Sequence, residues 1–95
     1  MPVDAIAVLA EPTRRRILDE LRLADSSVGQ LVDKLAMSQP AVSKHLKVLR
    51  EAGYVTSRTA AQQRIYSLEP GPFRALDAWL APYRRRWTHA ERLAG

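Results

Sequence analysis

The stretch "MSQPAVSKHLKVLREAGYV", residues 37 to 55, admits few conformations. Ser38 is a side-chain N-cap, Pro40 suits a first helical turn where its missing N–H has no role, and Gly53 is a stop after the last apolar contact. Between those limits Val42, Leu46 and Leu49 recur at i, i+4 and i+7, so one face of the helix must be buried. The opposite face then carries Gln39, Ser43, Lys44, Lys47 and Arg50, with Glu51 off to one side. Amides, hydroxyls and cations of this kind bond to phosphates and to base edges.

The charge balance points the same way. The chain holds 15 Lys and Arg against 10 Asp and Glu, a net +5. Between Lys34 and Tyr66 stand six cations (Lys34, Lys44, Lys47, Arg50, Arg58, Arg64) and one anion, Glu51, so this block alone accounts for the +5 and the rest is neutral. A cationic block on a neutral body is the footprint of a phosphate-binding face; an ordinary solvated basic surface is the alternative. There are no cysteines, which excludes disulfides, thiolate metal sites and thiol redox switches. No apolar run approaches the ~20 residues of a membrane span, so a cytoplasmic protein with no membrane partner is expected.

Around that helix, caps and prolines divide the chain. At 95 residues it is read as one domain, 1–95, whose stability is marginal at this size, so a second copy is a plausible source of help. Val3, Ile6, Ala7 and Ala10 suggest a short first helix with an apolar face to be covered. Pro12 opens a second, with Ile17, Leu18 and Leu21 as its buried stripe and an end near Ala24. Arg14, Arg15 and Arg16 fan over about 200° of that helix, so they cannot share one target. "SVGQ", residues 27 to 30, has capping-box spacing and starts a third helix, buried through Leu31, Val32 and Leu35. After Gly53, "YVTSRT" and "RIYSL" alternate as strands with "AAQQ" between them, a β-hairpin with Arg58 and Arg64 near its tip. From Pro72 onward, Phe73, Leu76, Leu80, Tyr83, Trp87 and Ala90 recur at steps of three and four, the seam of a paired helix. Trp79 widens it. A helix of a second chain would bury this aromatic surface; folding back on its own domain is the other reading. Pro82 is expected to kink or restart the helix.

Four helices, a hairpin and a last helix make a mainly α fold, α-α-α-α-β-β-α, in the order of a winged helix-turn-helix. "LAEPTRRRIL", "VGQLVDKLAMSQPAVSKHLKVLREAGYV" and "RIYSL" together resemble the ArsR/SmtB family of bacterial transcriptional repressors over residues 8 to 68. The resemblance implies a helix-turn-helix at about 27–51, a wing at about 54–68, and dimerisation helices at about 3–10 and 72–93. It implies a homodimeric repressor binding double-stranded DNA at an inverted repeat. Gln39, Ser43, Lys44 and Lys47 match the reading face of the recognition helix and Arg64 a wing position, and Arg58 joins them from its place in the hairpin. The interface between copies is expected at Val3, Ile6, Phe73, Leu76, Leu80, Tyr83 and Trp87.

Two departures stand out. The tip "TAAQQ" lacks the glycine and arginine richness common in such wings. Metal-sensing relatives use cysteines near the third helix, or Asp/His and His/Glu pairs on the last. Here Trp79 lies two after Asp77 and Arg92 three after His89, so no metal, cofactor or other effector is assigned. His45 matches an "SxHL" pattern and is read as a structural histidine or a backbone clamp before a ligand. Ser43 and His45, two residues apart on a helix, do not face one another, which argues against an enzyme. A module whose basic face binds an acidic protein is the alternative function.

Overall fold

The computed structural model describes residues 3–94, with side chains from residue 5 to residue 94. In chain order the elements are α1 (Val3–Ala10), α2 (Pro12–Leu23), β1 (Ser26–Ser27), α3 (Val28–Leu35), α4 (Gln39–Glu51), β2 (Val55–Ala60), β3 (Gln63–Leu68) and α5 (Gly71–Ala94). The strands form an antiparallel sheet in the order β1-β3-β2. α2, α3 and α4 enclose one core of Ile17, Leu18, Leu21, Leu31, Leu35, Val42, Leu46 and Leu49, closed by Tyr54, Val55 and Tyr66 from the base of the hairpin.

The helix ends show why these segments fold as they do. Ser27 accepts from the Gln30 N–H while the Gln30 side chain accepts from the Ser27 N–H, a complete capping box. Ser38 Oγ accepts from the Ala41 N–H at 3.3 Å and starts α4. At the other end Gly53, at φ +82°, donates to the Arg50 carbonyl, and the Tyr54 N–H donates to the Leu49 carbonyl. This pair of bonds satisfies carbonyls that the last turn leaves open, in a geometry that glycine adopts without strain. The inward face of α4 is as the periodicity requires, since Val42, Leu46 and Leu49 are fully buried. Truncating any of these leucines to alanine removes about 2–5 kcal/mol.

Four details differ from the sequence expectations. The hairpin connection is two residues, Ala61 and Gln62, rather than the four of "AAQQ", because both adopt positive φ (49° and 68°) and the ladder extends to Ala60 opposite Gln63. Ser26 and Ser27 add a third strand, pairing with Tyr66 and Ile65. α5 runs through Pro82 as one helical element, so of the two outcomes expected at that proline, a kink or a restart, the restart does not occur. Arg14 and Arg15 serve α1: Arg14 Nε donates to the Val8 carbonyl at 2.8 Å, and Arg15 to the Leu9 carbonyl. Those carbonyls lie in the last turn of α1, which has no basic residue of its own to complement its dipole.

α5 divides into two parts. Phe73 and Leu76 are half-buried against the core, so the start of the helix packs on its own domain. Beyond them Trp79, Tyr83 and Trp87 are 44%, 54% and 46% exposed, and no residue of α5 is fully buried. The molecule is accordingly elongated, 55 Å by 25 Å by 21 Å. No helix of the described residues is long and apolar enough to cross a membrane.

Candidate nucleic-acid interface

α4 is capped at both ends and anchored by three buried aliphatic residues, so its outer face has little freedom to rotate. That face presents Gln39, Ser43, Lys44 and Lys47, all exposed, with Arg50 beyond them. None of the four forms a side-chain hydrogen bond or ion pair within the described residues. They are donors and cations held on a rigid scaffold and open to solvent.

The wing gives its two arginines different surroundings. Thr59 pairs with Arg64 and Ser57 with Tyr66, so Arg64 shares the pleat face of buried Tyr66, which is the face toward the helices. Its guanidinium donates to Ser57 Oγ at 3.4 Å. From there it lines a cleft of about 280 Å³ with Gln63, Gln39 at the start of α4, and Ser27, Val28 and Gly29 at the start of α3. The positive end of the α3 dipole and the Arg64 guanidinium therefore open onto one space beside the start of α4. Such a space suits an anion.

Arg58 pairs with Ile65 and faces the other side. There its Nη1 donates to Asp25 Oδ2 and to Ser67 Oγ, each at 3.1 Å. A side-chain hydrogen bond with Ser67, followed by Arg58, holds the Asp25 carboxyl below its ordinary value. Arg58 thus braces the wing against the turn before β1. The structure brings Arg64 to Gln39 and leaves Arg58 apart from them. Gln63 and Gly29 were not anticipated; their place depends on strand register and on the α3 start, which residue type alone does not signal.

His45 is half-buried, with Nδ1 3.8 Å from Glu11 Oε2, the carboxylate that also caps α2 by accepting from the Arg14 N–H. His45 thus lies between α4 and the junction of α1 and α2. Among the described residues no three His, Cys, Asp or Glu side chains gather in a way that can hold a metal ion. Of the expected contact residues between copies, Ile6, Tyr83 and Trp87 are exposed, Leu80, Phe73 and Leu76 are half-buried, and the Val3 side chain lies outside the described residues.

Comparison with known proteins agrees with this geometry. The model of the bacterial regulatory protein, arsR family, matches residues 11–57. The HTH-type transcriptional regulator Rv2034 of Mycobacterium tuberculosis is 43% identical over 94% of this chain and 80% of its own length. The HTH-type transcriptional repressor SmtB of the same species is 40% identical over 68% of this chain, which spans 48% of that protein. A solved ArsR family transcriptional regulator, RHA00566, superposes with a TM-score of 0.77 at 30% identity, over 90% of this chain and 88% of that one. These relatives are named as regulators and not as enzymes, and nothing in them favours a module for acidic proteins. The chain belongs to the ArsR family and is a DNA-binding helix-turn-helix transcriptional regulator.

Proposed function

We propose that this regulator acts in the cytoplasm as a homodimeric repressor, pairing through α1 and the exposed part of α5 and binding an inverted-repeat operator. In this reading α4 enters the major groove. Gln39 and Ser43 address base edges, where a well-fitted pair discriminates by about 1–3 kcal/mol. Lys44 and Lys47 hold phosphates. Arg64 follows the neighbouring backbone, with a phosphate seated in the cleft between α3 and the wing. Two such helices, related by a two-fold axis, would meet successive major grooves about 34 Å apart.

The observation that carries this reading is the outer face of α4, where Gln39, Ser43, Lys44 and Lys47 stand exposed on a doubly capped helix. The Lys44→Ala, Lys47→Ala double variant tests it by gel shift across a salt series. Loss of two phosphate contacts lowers the slope of log affinity against log salt by about 2. An unchanged affinity and slope would remove this helix from the DNA face. Sedimentation of the wild-type protein tests the dimer, and a monomer at micromolar concentration would sink the two-groove arrangement.

A further inference from the structure

Tyr54 is the first residue beyond the C-terminal glycine of the reading helix, and none of its surface is exposed. Its backbone belongs to the DNA-reading segment: the N–H donates to the Leu49 carbonyl of α4, and the carbonyl accepts from the Glu69 N–H just past β3, both at 2.9 Å. Its side chain leaves that segment altogether. The ring meets Phe73 of α5 edge on, with centroids 5.3 Å apart and planes at 74°. The hydroxyl donates to the Ala5 carbonyl of α1 at 2.6 Å. One side chain with two main torsions therefore touches both helices assigned to the dimer, while its own backbone is bonded to the helix and the wing assigned to DNA.

Apolar packing does not require the hydroxyl. The Ala5 carbonyl lies within a helix, where the backbone already offers it a donor four residues on, so α1 does not depend on a second one. A phenylalanine would fill the same volume with no polar group to satisfy. What the O–H adds is direction, because a short hydrogen bond at the end of a rigid ring fixes where α1 sits against the end of α4.

We propose that Tyr54 is a positioning residue that sets the angle between the recognition helix and the dimer-forming helices, an inference that rests on the homodimeric reading above. The lever is long enough to matter. With reading helices about 34 Å apart, each stands about 17 Å from the two-fold axis, and a rotation of about 5° displaces it by about 1.5 Å. That displacement is half the length of a hydrogen bond, enough to break paired contacts in one groove while the other stays engaged.

The Tyr54→Phe variant tests this, because it keeps the ring and its contact with Phe73 and removes only the hydroxyl. Binding is measured on two duplexes, one selected from a random library by the wild-type protein and one carrying a single half of that selected site. The expected result is a loss of about 10-fold on the full site and a change within about 2-fold on the half site, the size of an ordinary coupling between two sites. The dimer dissociation constant should not move. Spin labels on Glu51→Cys, in a chain with no other cysteine, should give a broader inter-protomer distance distribution in the variant than in the parent.

Equal losses on both duplexes, or no loss on either, overturn the proposal, as does an unchanged distance distribution. A wild-type protein that sediments as a monomer overturns the homodimeric reading itself, before any variant is compared. If Tyr54→Phe fails to fold by circular dichroism, Phe73→Leu weakens the α5 arm of the same linkage and is judged by the same measurements.

Discussion

Arg58 and Arg64 stand on opposite faces of the wing, Arg58 opposite Ile65 and Arg64 opposite Thr59 on adjacent rungs of the ladder. Arg64 opens onto the cleft with Gln39, whereas the guanidinium of Arg58 is already engaged by Asp25 and Ser67. A cation paired with a carboxylate brings little net positive charge to a phosphate. Arg64→Ala is therefore expected to weaken DNA binding and to reduce the salt slope by about 1, the value for one lost phosphate contact. Arg58→Ala should cost less affinity and leave the slope nearly unchanged. Fluorescence anisotropy from 50 to 200 mM salt, on the order of the range where such slopes are read, gives the ranking, and the reverse order would refute this assignment.

Three alanine or glutamine residues occupy conformations that suit glycine or asparagine. Ala61 and Gln62 form a two-residue hairpin turn with both φ positive, the conformation of an Asn-Gly turn, and Ala36 ends α3 at φ 54°. A left-handed conformation costs an L-residue about 1–2 kcal/mol, part of which glycine gives back as unfolded-state entropy. Ala61→Asn with Gln62→Gly should stabilise the protein by about 1 kcal/mol, and Ala36→Gly by about 0.5 kcal/mol. Urea titration measures both. Lower midpoints in either variant would show that these residues carry no strain.

How far the fold could be read from residue types follows from the range over which each signal acts. α4 was legible in full because cap, stop and buried stripe all lie within sixteen residues, Ser38 to Gly53. The Ser27/Gln30 capping box is equally local and was found. The wing was legible as a hairpin but not in its register, since Ala61 and Gln62 give no turn signal and the register decides that Arg64 and Arg58 face apart. Ser26 and Ser27 have no strand pattern of their own and become a strand only because Tyr66 and Ile65 arrive beside them. The reach of Tyr54 to Ala5 spans 49 residues, and no local pattern encodes it. That Arg14 and Arg15 both serve the end of α1 was not legible, because their acceptors, the end carbonyls of α1, are defined only by how α1 and α2 meet.

The buried hydroxyl of Tyr54 has a consequence at high pH. Burial disfavours the phenolate and raises the Tyr54 pKa above its ordinary value. A proton held more tightly in the folded state than in the unfolded chain stabilises the fold fully below about pH 10, the ordinary tyrosine value, and that stabilisation is lost as pH rises through the folded-state pKa. Wild-type stability should therefore fall more steeply above pH 10 than that of Tyr54→Phe, a difference of roughly one proton in the linkage slope. Parallel slopes in urea titrations at stepped alkaline pH would contradict this.

Trp87 illustrates what the second half of α5 requires. Trp79, Tyr83 and Trp87 each leave about half of their surface in water, and the rings of Trp79 and Tyr83 pack on one another 5.1 Å apart without reaching the core. A tryptophan can bury up to about 250 Å², so covering the exposed half of Trp87 is worth roughly 2.5–3 kcal/mol in each protomer at about 25 cal/mol per Å². In the proposed dimer the two copies contribute twice that, reduced by the ordering of both helices. Trp87→Ala should raise the dimer dissociation constant by at least about 50-fold and leave monomer unfolding nearly unchanged, because the side chain touches no core residue of its own domain. Arg92, exposed on the same helix, is the control. It shares a heptad position with Ala78 and Arg85, away from the seam and from Trp79, so Arg92→Ala should leave association within about 3-fold of wild type. Sedimentation equilibrium separates the two variants: equal association constants would mean that the aromatic seam is not where the copies meet.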